Sequence, residues 1–193
     1  PVRVAPGSRR WISENVQGGR IRNVSGALRR APGEKPVMSV SYDFEGAEVR
    51  LLRHFPPATD GHGRASLALG SYAMELDGGR IETPGRAPAE IGGSTFRVPD
   101  VRKKPADAEV ELRVDGPLET VLELMDNRPF RLLEISGRSA DEADARLRLA
   151  ASIAFPLKRG LGADDVAYRV DGRLEDLRAE ALVPDRPIAA DAL

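Results

Sequence analysis

The sequence predicts a mainly β protein: an elongated, curved antiparallel sheet, a meander with a repeating groove, accompanied by two short helices. Apolar and polar residues alternate with a period of two along most of the chain, which places them on opposite faces of β-strands. Aromatic residues make up only 5% of the 193 residues and charged residues 31%. This composition suits a sheet with one wet face better than a thick globular core.

The clearest alternation lies between Val37 and Gly79. Polar residues there separate the apolar side chains of Met38, Val40, Tyr42 and Phe44. The pattern breaks at Gly46, resumes, and continues in two further runs after a proline loop over 55–63. Asp77-Gly78-Gly79 then predicts a tight hairpin turn, because glycine tolerates the positive φ of such turns. The segment is therefore expected to be an antiparallel meander with one apolar face.

Two helices flank the strands. Ser8 is a suitable N-cap for a first helix over 8–17, which Gly18-Gly19 would end. The chain's single tryptophan, Trp11, is expected to pack this helix onto the sheet. A second helix over 117–127 starts at a proline, and its apolar stripe is formed by Leu118, Val121, Leu122 and Met125.

The strands on either side of the second helix form two groups. A first β meander is predicted over 19–115. A second, truncated meander is predicted over 146–193, and its longest strand with uninterrupted alternation is Arg146–Phe155. Tyr42 and Gly46 have counterparts in Tyr168 and Gly172 at one common offset. Such an echo indicates a repeating array, although any antiparallel meander produces similar patterns. The chain, 1–193, is therefore expected to be a single fragment of a longer β-repeat protein.

The composition excludes several classes of function. Lys plus Arg is 29 and Asp plus Glu is 30, so bulk charge does not attract nucleic acid. There is no cysteine, and Asp60-Gly61-His62-Gly63 offers too few ligands for a metal site. None of the common nucleophile, zinc-protease or phosphate-loop motifs occurs. We therefore expect no enzyme, no cofactor and no metal; an enzyme would need carboxylates or a histidine to meet in a cleft.

Several stretches resemble one family. These are Arg9-Arg10-Trp11-Ile12 followed by Gly18-Gly19-Arg20-Ile21, the strand Val40–Gly46 with Phe55-Pro56-Pro57, two later hairpins at 76–79 and 92–96, and the loop Phe155-Pro156-Leu157-Lys158-Arg159-Gly160-Leu161. Together they are similar to the middle segment of the AsmA-like family, in the YhdP and TamB group, in its alphaproteobacterial form. The resemblance covers nearly the whole chain through loose, repetitive motifs.

The resemblance implies a function. Members of the family are anchored in the inner membrane, project into the periplasm, and resemble bridge-like lipid-transfer proteins whose strands form a long apolar groove. By this resemblance the chain would belong to a periplasmic protein that carries phospholipid acyl chains between the inner and outer membranes. Its partners would be phospholipid and, through an anchor outside this chain, the inner membrane. The family has no catalytic residues to transfer.

Alternation identifies the side chains that would line such a groove. They are Met38, Val40, Tyr42, Phe44, Val49, Leu51, Leu67, Leu69, Tyr72, Met74, Leu76, Val110, Leu112, Val114, Leu147, Leu149, Ile153, Phe155, Tyr168 and Val170.

The same apolar face has an alternative interpretation. It would form the covered core of a structural or interaction β-sandwich, with helices and a second sheet on top and no ligand. Alternation alone favours this covered core, because half-buried antiparallel sheets are common. The resemblance favours the open groove, in which the helix from Leu118 to Met125 would cap the groove only locally.

Overall fold

The computed structural model describes residues 13–30, 32–33, 36–50, 54–127, 131–158, 160–179 and 188–192. Ten strands form one antiparallel sheet there, which confirms the mainly β prediction. The strands are β1 Val16–Arg29, β2 Val37–Val49, β3 Ala58–Ala68, β4 Ser71–Ile81, β5 Ala89–Glu90, β6 Thr95–Val98, β7 Asp107–Pro117, β8 Ala143–Pro156, β9 Ala167–Ala179 and β10 Ile188–Ala192. The helices are α1 Leu118–Asp126 and α2 Leu132–Ser136, with 3-10 turns at Ala140–Glu142 and Ala163–Asp165.

The sheet is a meander in which each strand pairs with its neighbours in sequence. The short strands β5 and β6 share one position between β4 and β7, so the order has nine positions from β1 to β10. With strands about 4.8 Å apart and about 3.3 Å per residue, the sheet is roughly 38 Å wide and its longest strands are roughly 45 Å long.

The predicted second helix is confirmed as α1, which starts directly after Pro117. Of the first predicted helix, residues 13–15 are helical and β1 takes over at Val16. Its earlier residues, including Trp11, lie outside the described residues. The helix α2 forms where the sequence showed no clear period, and a left-handed Gly137 follows its last residue.

One face of the sheet carries the apolar residues. Register places Val40 beside Leu67 and Leu67 beside Tyr72. Further along, Val110 lies beside Ile153, and Ile153 beside Tyr168. Because side chains alternate across a strand, these pairs continue in rows over β2 to β9. We call this surface the apolar face.

We call the opposite face the polar face, and ion pairs connect neighbouring strands there. Arg64 contacts Glu75 at 2.7 Å across β3 and β4. Asp115 contacts Arg146 at 2.6 Å and Arg148 at 3.4 Å across β7 and β8. The hydrogen bond from Arg146 is the main reason why the pKa of Asp115 is lowered. Exposed pairs of this kind add little stability, but they keep this face solvated.

Register shifts bend several strands. Asn23, Gly46, Asp60 and Asp176 each have a positive φ of 51–59° and each lies where a ladder loses register. Asparagine, aspartate and glycine tolerate this left-handed conformation best. An extra residue at such a point bends the strand and increases its twist. The residues that interrupt the alternation therefore act as bulges within continuous strands.

The prediction of a hairpin turn at Asp77-Gly78-Gly79 is wrong. All three residues lie inside β4, and the turn from β3 to β4 is at Leu69-Gly70. The two glycines instead allow β3 to approach β4 closely. The His62 ring occupies the space that a Cβ on Gly78 would need, and a Cβ on Gly79 would lie 3.2 Å from the Gly61 Cα. The predicted loop over 55–63 is likewise too long, since β3 starts at Ala58.

Within the apolar face, large side chains of one strand pack over small residues of the next. Strand β3, between β2 and β4, presents Gly61, Gly63 and Ala65, all of them buried. A Cβ on Gly63 would lie 3.0 Å from Cζ of Phe44, and one on Gly61 would lie 3.7 Å from Cδ1 of Leu76. The side chains of β2 and β4 thus lean across β3 and bury surface without a second layer.

We predict that Gly63→Ala destabilises the protein. The added Cβ would overlap the carbonyl oxygen of Glu75 and press on the Phe44 ring. The free energy of unfolding should fall by about 1–3 kcal/mol, as in other overpacked sites. Urea denaturation measures it.

Gly26→Ala is the matched control. This glycine lies on edge strand β1, and its nearest neighbour to an added Cβ is the Ser39 carbonyl oxygen at an ordinary 3.7 Å. Equal stability of the two variants would contradict the proposed packing of Phe44 over Gly63.

Candidate functional site

Register places most of the predicted groove residues together on the apolar face. They are Met38, Val40, Tyr42, Phe44, Val49, Leu67, Tyr72, Met74, Leu76, Val110, Leu112, Val114, Leu147, Leu149, Ile153, Phe155, Tyr168 and Val170. Val49 joins them because the Gly46 bulge shifts the alternation and sets Val49 opposite Ala58.

Two predicted residues do not join this set. Leu69 lies in the turn after β3 with φ of 54° and is 77% exposed, so it belongs to neither face. Its turn conformation ends the alternation that predicted it. Leu51 lies outside the described residues.

Helix α1 covers one end of the apolar face. Val121 packs with Ala89 and Leu147 there, and Val114, Leu149 and Leu174 pack against the same cluster. Leu147 is only 9% exposed. These positions of β7, β8 and β9 form a small closed core under the helix, so the predicted groove residues Val114, Leu147 and Leu149 do not face an open surface.

Polar contacts hold α1 in place. The hydroxyl of the fully buried Thr120 donates to the Ala87 carbonyl oxygen at 2.8 Å. Arg86 bridges Glu123 at 2.8 Å and Asp141 at 2.6 Å, and it thereby joins the loop before β5, the helix and the following 3-10 turn. The hydrogen bond from Arg86 lowers the pKa of Asp141. The helix is thus fixed over its end of the sheet.

The loop over 99–106 covers the opposite end. Val98, Ala106 and Ala108 form a second buried cluster there, and Tyr72, Phe96, Val101 and Phe155 pack against it. The predicted groove residues Tyr72 and Phe155 therefore lie against this covered end. The Val101 amide donates to the Gly70 carbonyl oxygen at 2.8 Å, which ties this loop to the turn between β3 and β4. The charged, proline-bearing sequence of this segment predicts a loop but gives no signal that it covers the sheet.

Between the two covers lies a stretch that we call the open middle. Its side chains are half-buried by their neighbours within the sheet, and towards β9 they become exposed: Tyr168 is 75% and Val170 52% accessible. The residues of the open middle are Val40, Phe44, Leu67, Met74, Val110, Leu112, Ile153, Tyr168 and Val170. Within the described part of the chain, all strands belong to the one sheet, and none forms a layer over these residues.

The sequence-based list left out several members of the apolar face. Ile21 and Leu28 of β1 pair with Phe44 and Met38, and Phe96 pairs with Met74 and Val110. Phe96 and Val98 alternate with the polar residues Thr95 and Arg97, so the two-residue period of a strand could have placed Phe96 on this face. Strand β1, which is exposed at every position except Gly18, gave a weaker signal because polar residues and a bulge interrupt its alternation.

Metal-binding side chains do not gather in the described residues. These residues contain no cluster of three or more histidines, aspartates or glutamates that could hold a metal ion. None of the helices in the described ranges has the length and apolar character needed to cross a bilayer. The apolar face, with the tyrosine hydroxyls of Tyr42 and Tyr72 on it, is the candidate site because no described strand forms a layer over its middle.

Comparison with known proteins identifies no relative. No family model, no curated protein and no solved structure matches this chain.

We predict that two aspartate substitutions on the same strand and face differ in cost. Leu149→Asp puts a carboxylate into the core under α1, where burial of an unpaired charge should cost about 3–5 kcal/mol of unfolding free energy. Ile153→Asp lies in the open middle, where water reaches the new charge, and it should cost about 1 kcal/mol through lost cross-strand contacts.

Thermal and urea unfolding of both variants measures the difference. A comparable loss of cooperativity in both would contradict the division into a covered end and an open middle. Ala154→Asp on the exposed polar face of the same strand is the control for added charge.

Proposed function

We propose that this chain is a segment of a bridge-like lipid-transport protein of the AsmA-like type, and that its apolar face carries phospholipid acyl chains. The observation that carries the proposal is the open middle: apolar side chains continue in rows across β2 to β9 without a layer above them in the described residues. A β-sandwich would bury these rows under a second sheet.

The dimensions of the rows suit acyl chains. One row runs through Tyr42, Ala65, Met74, Phe96, Val110, Ile153 and Tyr168. Six strand spacings of about 4.8 Å make it about 29 Å long. Half of a bilayer's hydrocarbon core is about 15 Å thick, so one row spans roughly two acyl chains end to end. A chain lying along it stays on apolar side chains throughout.

The energetics support weak, repeated contact. Each buried methylene contributes about 0.8 kcal/mol, and a chain lying on an open face buries only one side. The affinity for an acyl chain is therefore moderate at every position along the rows, and no position selects one chain over another. This is the behaviour that suits movement along a surface better than storage in a pocket.

The polar face and the covers fit the same function. Ion pairs keep the other side of the sheet in water, while α1 and the loop over 99–106 limit the open surface at both strand ends. A lipid is thereby confined to travel across the strands, from β2 towards β9 or back. The proposed location in the periplasm, with an inner-membrane anchor outside these residues, rests on the family resemblance alone.

We predict that the purified chain carries phospholipid and that Val40→Asp removes it. Val40 is in the open middle beside Leu67, where a carboxylate would meet the acyl chain. Native mass spectrometry followed by lipid extraction measures the bound lipid. Ser41→Asp, one residue along and on the polar face, is the matched control and should retain it.

Both variants should keep a cooperative thermal transition, because neither position lies in a buried cluster. If Val40→Asp retains as much lipid as Ser41→Asp, the apolar face is not the binding surface. If Val40→Asp abolishes the transition, the open middle is a closed core and the structural β-sandwich replaces the proposal.

A further inference from the structure

A pair of hydroxyl groups interrupts the apolar face. Tyr42 on β2 and Tyr72 on β4 meet across the strand between them, with 3.3 Å between their hydroxyl oxygens. Tyr42 pairs with Ala65 and Tyr72 with Leu67, and Ala65 beneath them is only 4% exposed. The pair therefore forms a polar bridge over the small residues of β3.

The bridge leaves one proton to donate. Only one of the two O–H groups can point at the other oxygen, so the second O–H has no partner within the pair. Neither hydroxyl makes another hydrogen bond within the described part of the chain. Burial raises the pKa of Tyr72, with a further contribution from the hydrogen bond to Tyr42, so its hydroxyl stays protonated well above neutral pH.

The surroundings of the pair are apolar. Leu67 lies beside Tyr72, and the ring of Phe96 packs edge-on against it with 6.1 Å between ring centroids. The guanidinium of Arg102 lies near Gly70, and Asp100 pairs with it at 2.8 Å. A bound carboxylate would lose water here without gaining a free cation, which is costly. A neutral acceptor needs only the spare O–H.

We propose that the Tyr42–Tyr72 pair binds the acyl-ester carbonyl of a glycerophospholipid. One hydroxyl donates to the ester oxygen, and the acyl chain lies along the row of Met74, Phe96, Val110 and Ile153. The inference rests on the proposed function and deepens it. The rows alone hold a lipid at no defined position, whereas the tyrosine pair gives it a preferred binding position.

The experiment compares two ligands and three variants of the whole chain. The ligands are a short-chain diacyl phosphatidylcholine, used below its micelle concentration, and the dialkyl ether with the same head group and chain length. The variants are Tyr42→Phe, Tyr72→Phe and the double substitution, which keep the rings and remove the hydroxyls. Tyr168→Phe is the matched control, because Tyr168 lies on the same face but is 75% exposed and far from the pair.

Titration calorimetry should give the following result. The wild-type chain binds the ester about three- to tenfold more tightly than the ether, the factor expected for one hydrogen bond to a neutral acceptor. The double variant binds both lipids equally and with the affinity of the ether. Tyr168→Phe keeps the wild-type preference.

Three results would overturn the inference, and the third would also overturn the proposed function. An ester preference that is absent from the wild type, or that persists in the double variant, contradicts the role of the tyrosine pair and leaves the lipid-carrying face standing. Failure of the wild type to bind either lipid contradicts the proposed function and the inference together.

Discussion

The structure depends on one constraint: the described strands lie in a single sheet, so the antiparallel ladder must hold them together without a facing layer. Hydrogen bonds fix each strand to its neighbours, but burial of apolar surface has to come from within the face itself. Phe44 leaning over Gly63 and Leu76 over Gly61 supply part of that burial. Close packing of this kind buries the small residues and leaves the outer surface of the large ones free.

The covers at the two strand ends follow from the same constraint. A sheet that buries little surface gains most from small, well-packed clusters, and α1 with Val121 and Leu147 provides one of them. The cluster of Val98, Ala106 and Ala108 provides the other. Between them no described strand forms a layer over the apolar face, and the tyrosine pair, next to the second cluster, is the point at which we propose a hydrogen bond to lipid. Stability and the proposed binding surface are thus divided between different parts of one face.

The sequence predicted the faces well and the covers poorly. Alternation in β7, in β8 and in β2 up to Gly46 follows directly from the two-residue period of a strand, so local residues determine which side chains share a face. The stripe of α1 likewise follows from its own spacing. The place where α1 packs does not, because it depends on Arg86 and Thr120 contacts between segments far apart in the chain. Glycine was misread at Gly78-Gly79 because close strand approach and a tight turn demand the same residue.

We propose that acyl chains lie on the open middle, and a phospholipid with a nitroxide on its acyl chain would report this contact by paramagnetic broadening. Methyl resonances are recorded for Leu67 and Ile153 in the open middle, Leu147 beneath α1, and Ala154 on the polar face. We expect broadening of the Leu67 and Ile153 resonances, with those of Leu147 and Ala154 little affected. Equal broadening on both faces, or none on the apolar face at lipid saturation, would contradict it.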